Sequence, residues 1–95
     1  MNKFGGWSFN PTVNKNIPAM QVEHLDIFNQ AFEGFDGAGY EPLMHLGQQL
    51  VSGMNHSFIA KQSLLTSSPE HIAVVKVTIY VPLDAAPVIT AIEAI

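Results

Sequence analysis

Few groups in this chain could do chemistry. There are four histidines, His24, His45, His56 and His71, eight acidic residues, four lysines, and serines scattered among them. A metal site written in sequence usually pairs histidines three or four residues apart on a helix, or sets them beside cysteines. No two of these histidines have that spacing, and there is no cysteine. The four are therefore expected to be surface or edge residues, with no metal bound. No glycine-rich loop leads from a strand into a helix to cradle a phosphate. Nothing arranges serine, histidine and acid as a nucleophilic triad. The chain reads as a non-enzyme that needs no cofactor.

What remains is a set of patterns suited to contact. Gln49-Leu50-Val51-Ser52-Gly53 has the form Q-x-V-x-G and falls where one strand should turn into the next. Gly53 suits a hairpin tip because it tolerates positive φ and close backbone approach. Leu50 and Val51 supply apolar surface there. Gly5-Gly6 follows Phe4 near the N-terminus, and Val81-Pro82-Leu83-Asp84-Ala85-Ala86-Pro87 lies near the C-terminus. Read plainly, the first is a loose terminus and the second a hairpin loop whose prolines block further strand pairing.

These patterns need elements to hold them. Val22, Leu25, Phe28, Phe32 and Phe35 recur at spacings of three and four, which predicts one helix over residues 18–33. Ile27 falls off that stripe. Pro18 suits the first turn, and Gly34 suits the left-handed position just past the end. Asp36-Gly37-Ala38-Gly39 marks a loop. Strands follow: Met44, Leu46, Gln48 and Leu50 share one parity, Ala60 and Leu64 one face, and Val75, Val77, Ile79 and Val81 alternate with polar residues. A last strand runs from Val88 towards Ile95. Breaks fall at 52–55, 66–71 and 82–87. Residues 1–8 read as a flexible arm, and Trp7 is expected to pack on the sheet edge rather than serve as a contact.

Composition agrees with one small domain. The 95 residues are 47% hydrophobic and 13% charged, enough apolar material for a core and too little charge for a disordered chain. Net charge is −4, and Lys3, Lys15, Lys61 and Lys76 stand singly, so no nucleic-acid partner is expected. No apolar run has the length of a membrane span, so no membrane partner is expected either. The N-terminal residues lack the apolar core of a signal peptide, which gives a cytoplasmic expectation. Asn55-His56-Ser57 has the form of a glycosylation sequon, which carries no meaning in the cytosol.

One helix followed by antiparallel strands is an α+β plan, most economically a four- to five-stranded antiparallel sheet wrapped around one α-helix. With Gly5-Gly6, Gln49 to Gly53 and Pro82-Leu83 in this order, the chain resembles the cystatin family, in its disulfide-free, stefin-like branch. The resemblance spans about residues 4–95. It implies a cystatin-like fold and reversible, tight-binding inhibition of papain-like cysteine proteases. It also implies a binding wedge of Phe4, Gly5 and Gly6 from the arm, Gln49, Leu50, Val51, Ser52 and Gly53 from the first hairpin, and Pro82 and Leu83 from the second. In the family the first hairpin enters the cleft beside the reactive cysteine without presenting a scissile bond. The chain departs from the family pattern at Leu50, Ser52 and Met54, where Val, Ala and Thr are commoner. Its second loop lacks the usual Pro-Trp or Leu-Pro-Gly. The alternative is a non-inhibitory cystatin-like module for protein interaction or self-assembly. The expected state is a monomer, with a domain-swapped dimer accessible by opening the first hairpin.

Overall fold

A computed structural model of the chain describes residues 7–9, 20–35, 38–64 and 71–95. Its elements are β1 (Trp7–Phe9), α1 (Val22–Ala31), β2 (Gly39–Val51), β3 (Gly53–Leu64), β4 (His71–Val81) and β5 (Val88–Ala94). The strands form one antiparallel sheet in the order β1-β2-β3-β4-β5, so each strand pairs with its neighbours in sequence. Only short connections are needed for such a meander, and α1 sits in the one long connection, between β1 and β2.

The alternation read in β4 has its physical counterpart: Val75, Val77 and Ile79 are buried, while Lys76 is exposed. Across the ladder they face Ala60, Phe58 and His56 of β3. With Phe28 of the helix they make the core, and Ile27, Ala31, Phe32, Tyr40, Val81, Ile89 and Ile92 pack around it. Phe28 meets Phe58 edge-on, with ring centroids 5.2 Å apart, and Phe32 stacks on Tyr40 at 4.7 Å. The helix thus lies against one apolar face of the sheet.

The helix differs from its sequence reading in length and in rotation. It covers Val22–Ala31 rather than 18–33; Gln21 is extended, and Pro18 lies outside the described residues. Gly34 does take the left-handed conformation, at φ +77°. The core-facing side is His24, Ile27, Phe28, Ala31 and Phe32, an i, i+3, i+4, i+7, i+8 set in which Phe28 is buried and the rest half-buried. Ile27, off the expected stripe, belongs to the core. Val22, on the stripe, is 73% exposed, and Leu25 is exposed too. The face has turned by rather less than one residue step of about 100°, because His24 occupies a core-facing position that an apolar pattern cannot count.

Strand β2 also departs from simple alternation. Its pairing with β3 shifts between Pro42 and Met44 and again between His45 and Gly47. Each bulge gives β2 an extra residue, so the single parity through Met44, Leu46, Gln48 and Leu50 is interrupted and His45 turns towards the helix. Pairing of β1 starts at Trp7, opposite Gln49. Trp7 and Ser8, read as part of a flexible arm over residues 1–8, belong to the sheet, and residues 1–6 lie outside the described residues. The loop read at Asp36-Gly37 and the break before His71 lie outside the described residues.

The rotation has a direct test in urea unfolding. Phe28→Ala should cost about 3–5 kcal/mol, the usual range for a buried Phe, whereas Val22→Ala should stay within about 0.5 kcal/mol. The reverse ranking would mean that the buried face is the one centred on Val22 and Leu25.

Candidate functional site

The two ends of the β2–β3 and β4–β5 hairpins lie together. Val51 pairs with Gly53, leaving Ser52 alone at the turn. Met54, just beyond, pairs with Val81, the last residue of β4. The Tyr80 hydroxyl donates a hydrogen bond to the Ser52 carbonyl oxygen, tying the first turn to the second hairpin. On the first hairpin, Asn55 Nδ2 donates to Gln49 Oε1 across the ladder at 3.0 Å. Strand β1 joins the sheet at the same end, because Trp7 faces Gln49 and β1 runs away from there.

Apolar side chains are left uncovered at this end: Leu83 is 80% exposed, Leu50 51%, Val51 37% and Trp7 43%. Trp7 is thus only partly packed, against the expectation of an edge anchor. Pro82 is half-buried beside them, and Ser52 is exposed. Phe4, Gly5 and Gly6 lie outside the described residues. The structure brings together the first-hairpin and second-hairpin residues read from the sequence, with one change of role.

That change concerns Gly53. It is buried, not an exposed tip, and its φ is +109°. A Cβ placed on it would collide with the Val81 carbonyl oxygen and come within 3.2 Å of Pro82 Cα and Tyr80 Cε1. Both the backbone conformation and the close approach of the second hairpin require glycine here. Gly53 is the seam between the hairpins, so a bulky substitution would disturb their junction as well as any docking. Gln49 likewise braces its strand through Asn55.

A second cluster was hidden by sequence distance. His24 of α1, His45 of β2 and His56 of β3 meet between the helix and the sheet, with His45 and His56 buried and His24 half-buried. His24 stacks on His45 with ring centroids 3.7 Å apart and planes 6° from parallel. His45 Nε2 and His56 Nδ1 are 2.9 Å apart and share a hydrogen bond, one donating and the other accepting according to tautomer. Histidines expected at the surface are core residues here. The fold supplied what spacing could not: the bulge in β2 and the rotation of α1. His71 is the first residue of β4, and its side chain is outside the described set.

Burial favours the neutral imidazole. Desolvation, helped by the positive charge that His24 and His56 would carry, pushes His45 down from 6.5 to about 3. Desolvation and His24 push His56 down to about 4, against a small opposing pull from Glu23. His24 is lowered by burial, again with Glu23 opposing. Three neutral imidazoles with donor nitrogens this close are a donor set for a metal ion. Among the described residues no helix is long and apolar enough to cross a membrane.

The sign of the pH dependence follows. The unfolded chain takes up protons near pH 6.5, while the folded chain resists until about 4 for His56 and about 3 for His45. Stability from these groups is complete above pH 6.5 and is lost as pH falls through about 4 for His56 and about 3 for His45. The melting temperature of metal-free protein, followed by circular dichroism in a chelating buffer, should drop between pH 7 and pH 5. A flat or rising profile over that window would contradict a buried neutral cluster.

No family model matches this chain, and neither a curated protein nor a solved structure matches it.

Proposed function

We propose that the chain is a reversible, tight-binding inhibitor of papain-like cysteine proteases, built on a cystatin-like fold. The observation that carries this reading is the juxtaposition of the two hairpin ends, which sets exposed Leu50 and Leu83 and partly exposed Val51 on one edge of the sheet. The family resemblance assigns contact roles to these same positions. The strand order, with the helix against one face, is also the arrangement that the resemblance implies.

The mechanism is occupancy, not catalysis. A protease cleft accepts an extended chain and cuts it when a peptide bond is aligned with its cysteine. A tight turn at Ser52 presents backbone that doubles back within one residue, which is a poor substrate geometry. Leu50 and Val51 on one side, with Pro82 and Leu83 on the other, would fill apolar parts of the cleft. Rigidity makes the wedge effective. Tyr80 holds Ser52, and Gly53 seats the first hairpin against Val81 and Pro82, so little order remains to be imposed on docking. Trp7 begins β1 at this end, and the resemblance assigns the residues just before it in sequence, Phe4, Gly5 and Gly6, to the adjoining subsites.

Papain titrated with the protein should lose activity in proportion to inhibitor and regain it on dilution. Leu83→Asp and Val51→Asp should each weaken inhibition by roughly 10- to 100-fold, the range of a contact worth about 1.4–2.8 kcal/mol. Because both side chains are exposed, the melting temperature should change little. Unchanged inhibition by both folded variants would remove the hairpin ends from the interface. Gly53→Glu is the less informative substitution, since it should lower stability and inhibition together.

A dimer formed by exchange provides an independent check. Strands β2 and β3 pair along almost their whole length about the single turn residue Ser52. Opening that turn would let α1 and β2 pair with β3 of a second copy, keeping most contacts but removing the projecting end. Mild heating followed by size-exclusion chromatography should give a dimer fraction that does not inhibit papain. A dimer as potent as the monomer would place either the hinge or the inhibitory surface elsewhere.

A further inference from the structure

We propose that His24, His45 and His56 form a site for a divalent transition-metal ion, zinc foremost, joining the first turn of α1 to β2 and β3. The inference stands apart from the inhibitor reading, since this cluster lies between helix and sheet and contains none of the hairpin-end residues. It rests first on geometry. One ring nitrogen from each histidine lies within 4.8 Å of those of the other two. Four-coordinate zinc with bonds of 2.0–2.1 Å holds its donors about 3.3 Å apart. His45 Nε2 and His56 Nδ1, at 2.9 Å, need only spread slightly, the ion taking the place of the shared proton. His24 must turn off its stack with His45, a rotation about its soft terminal torsion.

The second observation is an orphaned atom. His24 Nδ1 is buried and makes no hydrogen bond, although an unpaired buried polar nitrogen is costly. Metal coordination would give the ring a partner that the protein alone does not supply. The donor type then selects the ion. Three imidazoles suit zinc, copper, nickel or cobalt, whereas magnesium and calcium prefer oxygen ligands. Among the described residues no further histidine or acid joins the group, which leaves a coordination position open to water. Glu23, whose charge already acts on His24 and His56, offsets part of the charge brought in.

Zinc bound here would link one helix to two strands, so its effect is on stability. The test uses the full chain without a histidine tag, stripped with chelator and dialysed. Cobalt should give the strong visible bands of a four-coordinate ion, and zinc should bleach them. At zinc a hundredfold above its dissociation constant, the melting temperature should rise by roughly 10–15 °C. His24→Leu, which keeps an apolar side chain over the core, should fold and lose both the bands and the shift. His71→Gln should keep both. Absence of the bands and of the shift in the parent at millimolar metal would overturn the site. So would a His24→Leu protein that responds as the parent does, or a loss of response in His71→Gln.

Discussion

The seating of Phe28 on Phe58 is the interaction on which the rest depends. The sheet has one face of Phe58, Ala60, Val75, Val77 and Ile79, all buried, and among the described elements α1 is the one that covers it. A ten-residue helix has little stability alone, so α1 owes its existence to that burial. The dependence is mutual, because an uncovered sheet of this hydrophobicity would aggregate. Once Phe28 is seated, His24 one turn earlier must lie over β2 and β3. Phe32 one turn later must lie over Tyr40. The histidine cluster and the aromatic cluster are therefore consequences of one contact, placed on either side of it.

The same packing explains what stays uncovered. Side chains from Phe58 to Ile79 fix the register of β3 and β4 in the middle of the sheet. With that register, the ladder runs out to Met54 and Val81 and sets the two turns side by side. Leu83 and Leu50 stay largely exposed there, and Val51 is partly covered. A small acidic protein that sets several exposed apolar side chains beside one another on one sheet edge has a surface suited to a partner. The glycine at position 53 makes that edge a single unit, since the second hairpin occupies the space a side chain would need.

Much of this was legible in the sequence, and the failures share a cause. The helix, the alternating strands and the turn positions follow from spacing alone, because burial of β4 and the conformations of Gly34 and Ser52-Gly53 are local matters. Hydropathy sets the helix face on Val22 because it treats His24 as polar and Val22 as apolar, whereas neighbours decide which is covered. The histidine cluster is invisible in sequence for the same reason: its members sit 11 and 21 residues apart along the chain, and the bulge in β2 and the seat of Phe28 bring them together. Gly53 was read as a tip because its contact, Val81, lies 28 residues away. Tertiary neighbours are what periodicity cannot see.

The central functional claim is that the two hairpin ends act as one docking edge, and backbone amide exchange reads that edge directly. The chain would be exchanged in deuterated buffer alone and with saturating papain whose reactive cysteine has been blocked, and the protected amides compared. The account predicts new protection at Leu50 to Ser52 together with Leu83 and Asp84, and none at Ile72 or Val74, which are exposed elsewhere on β4. Protection confined to one hairpin, centred on Ile72 and Val74, or absent altogether would contradict it.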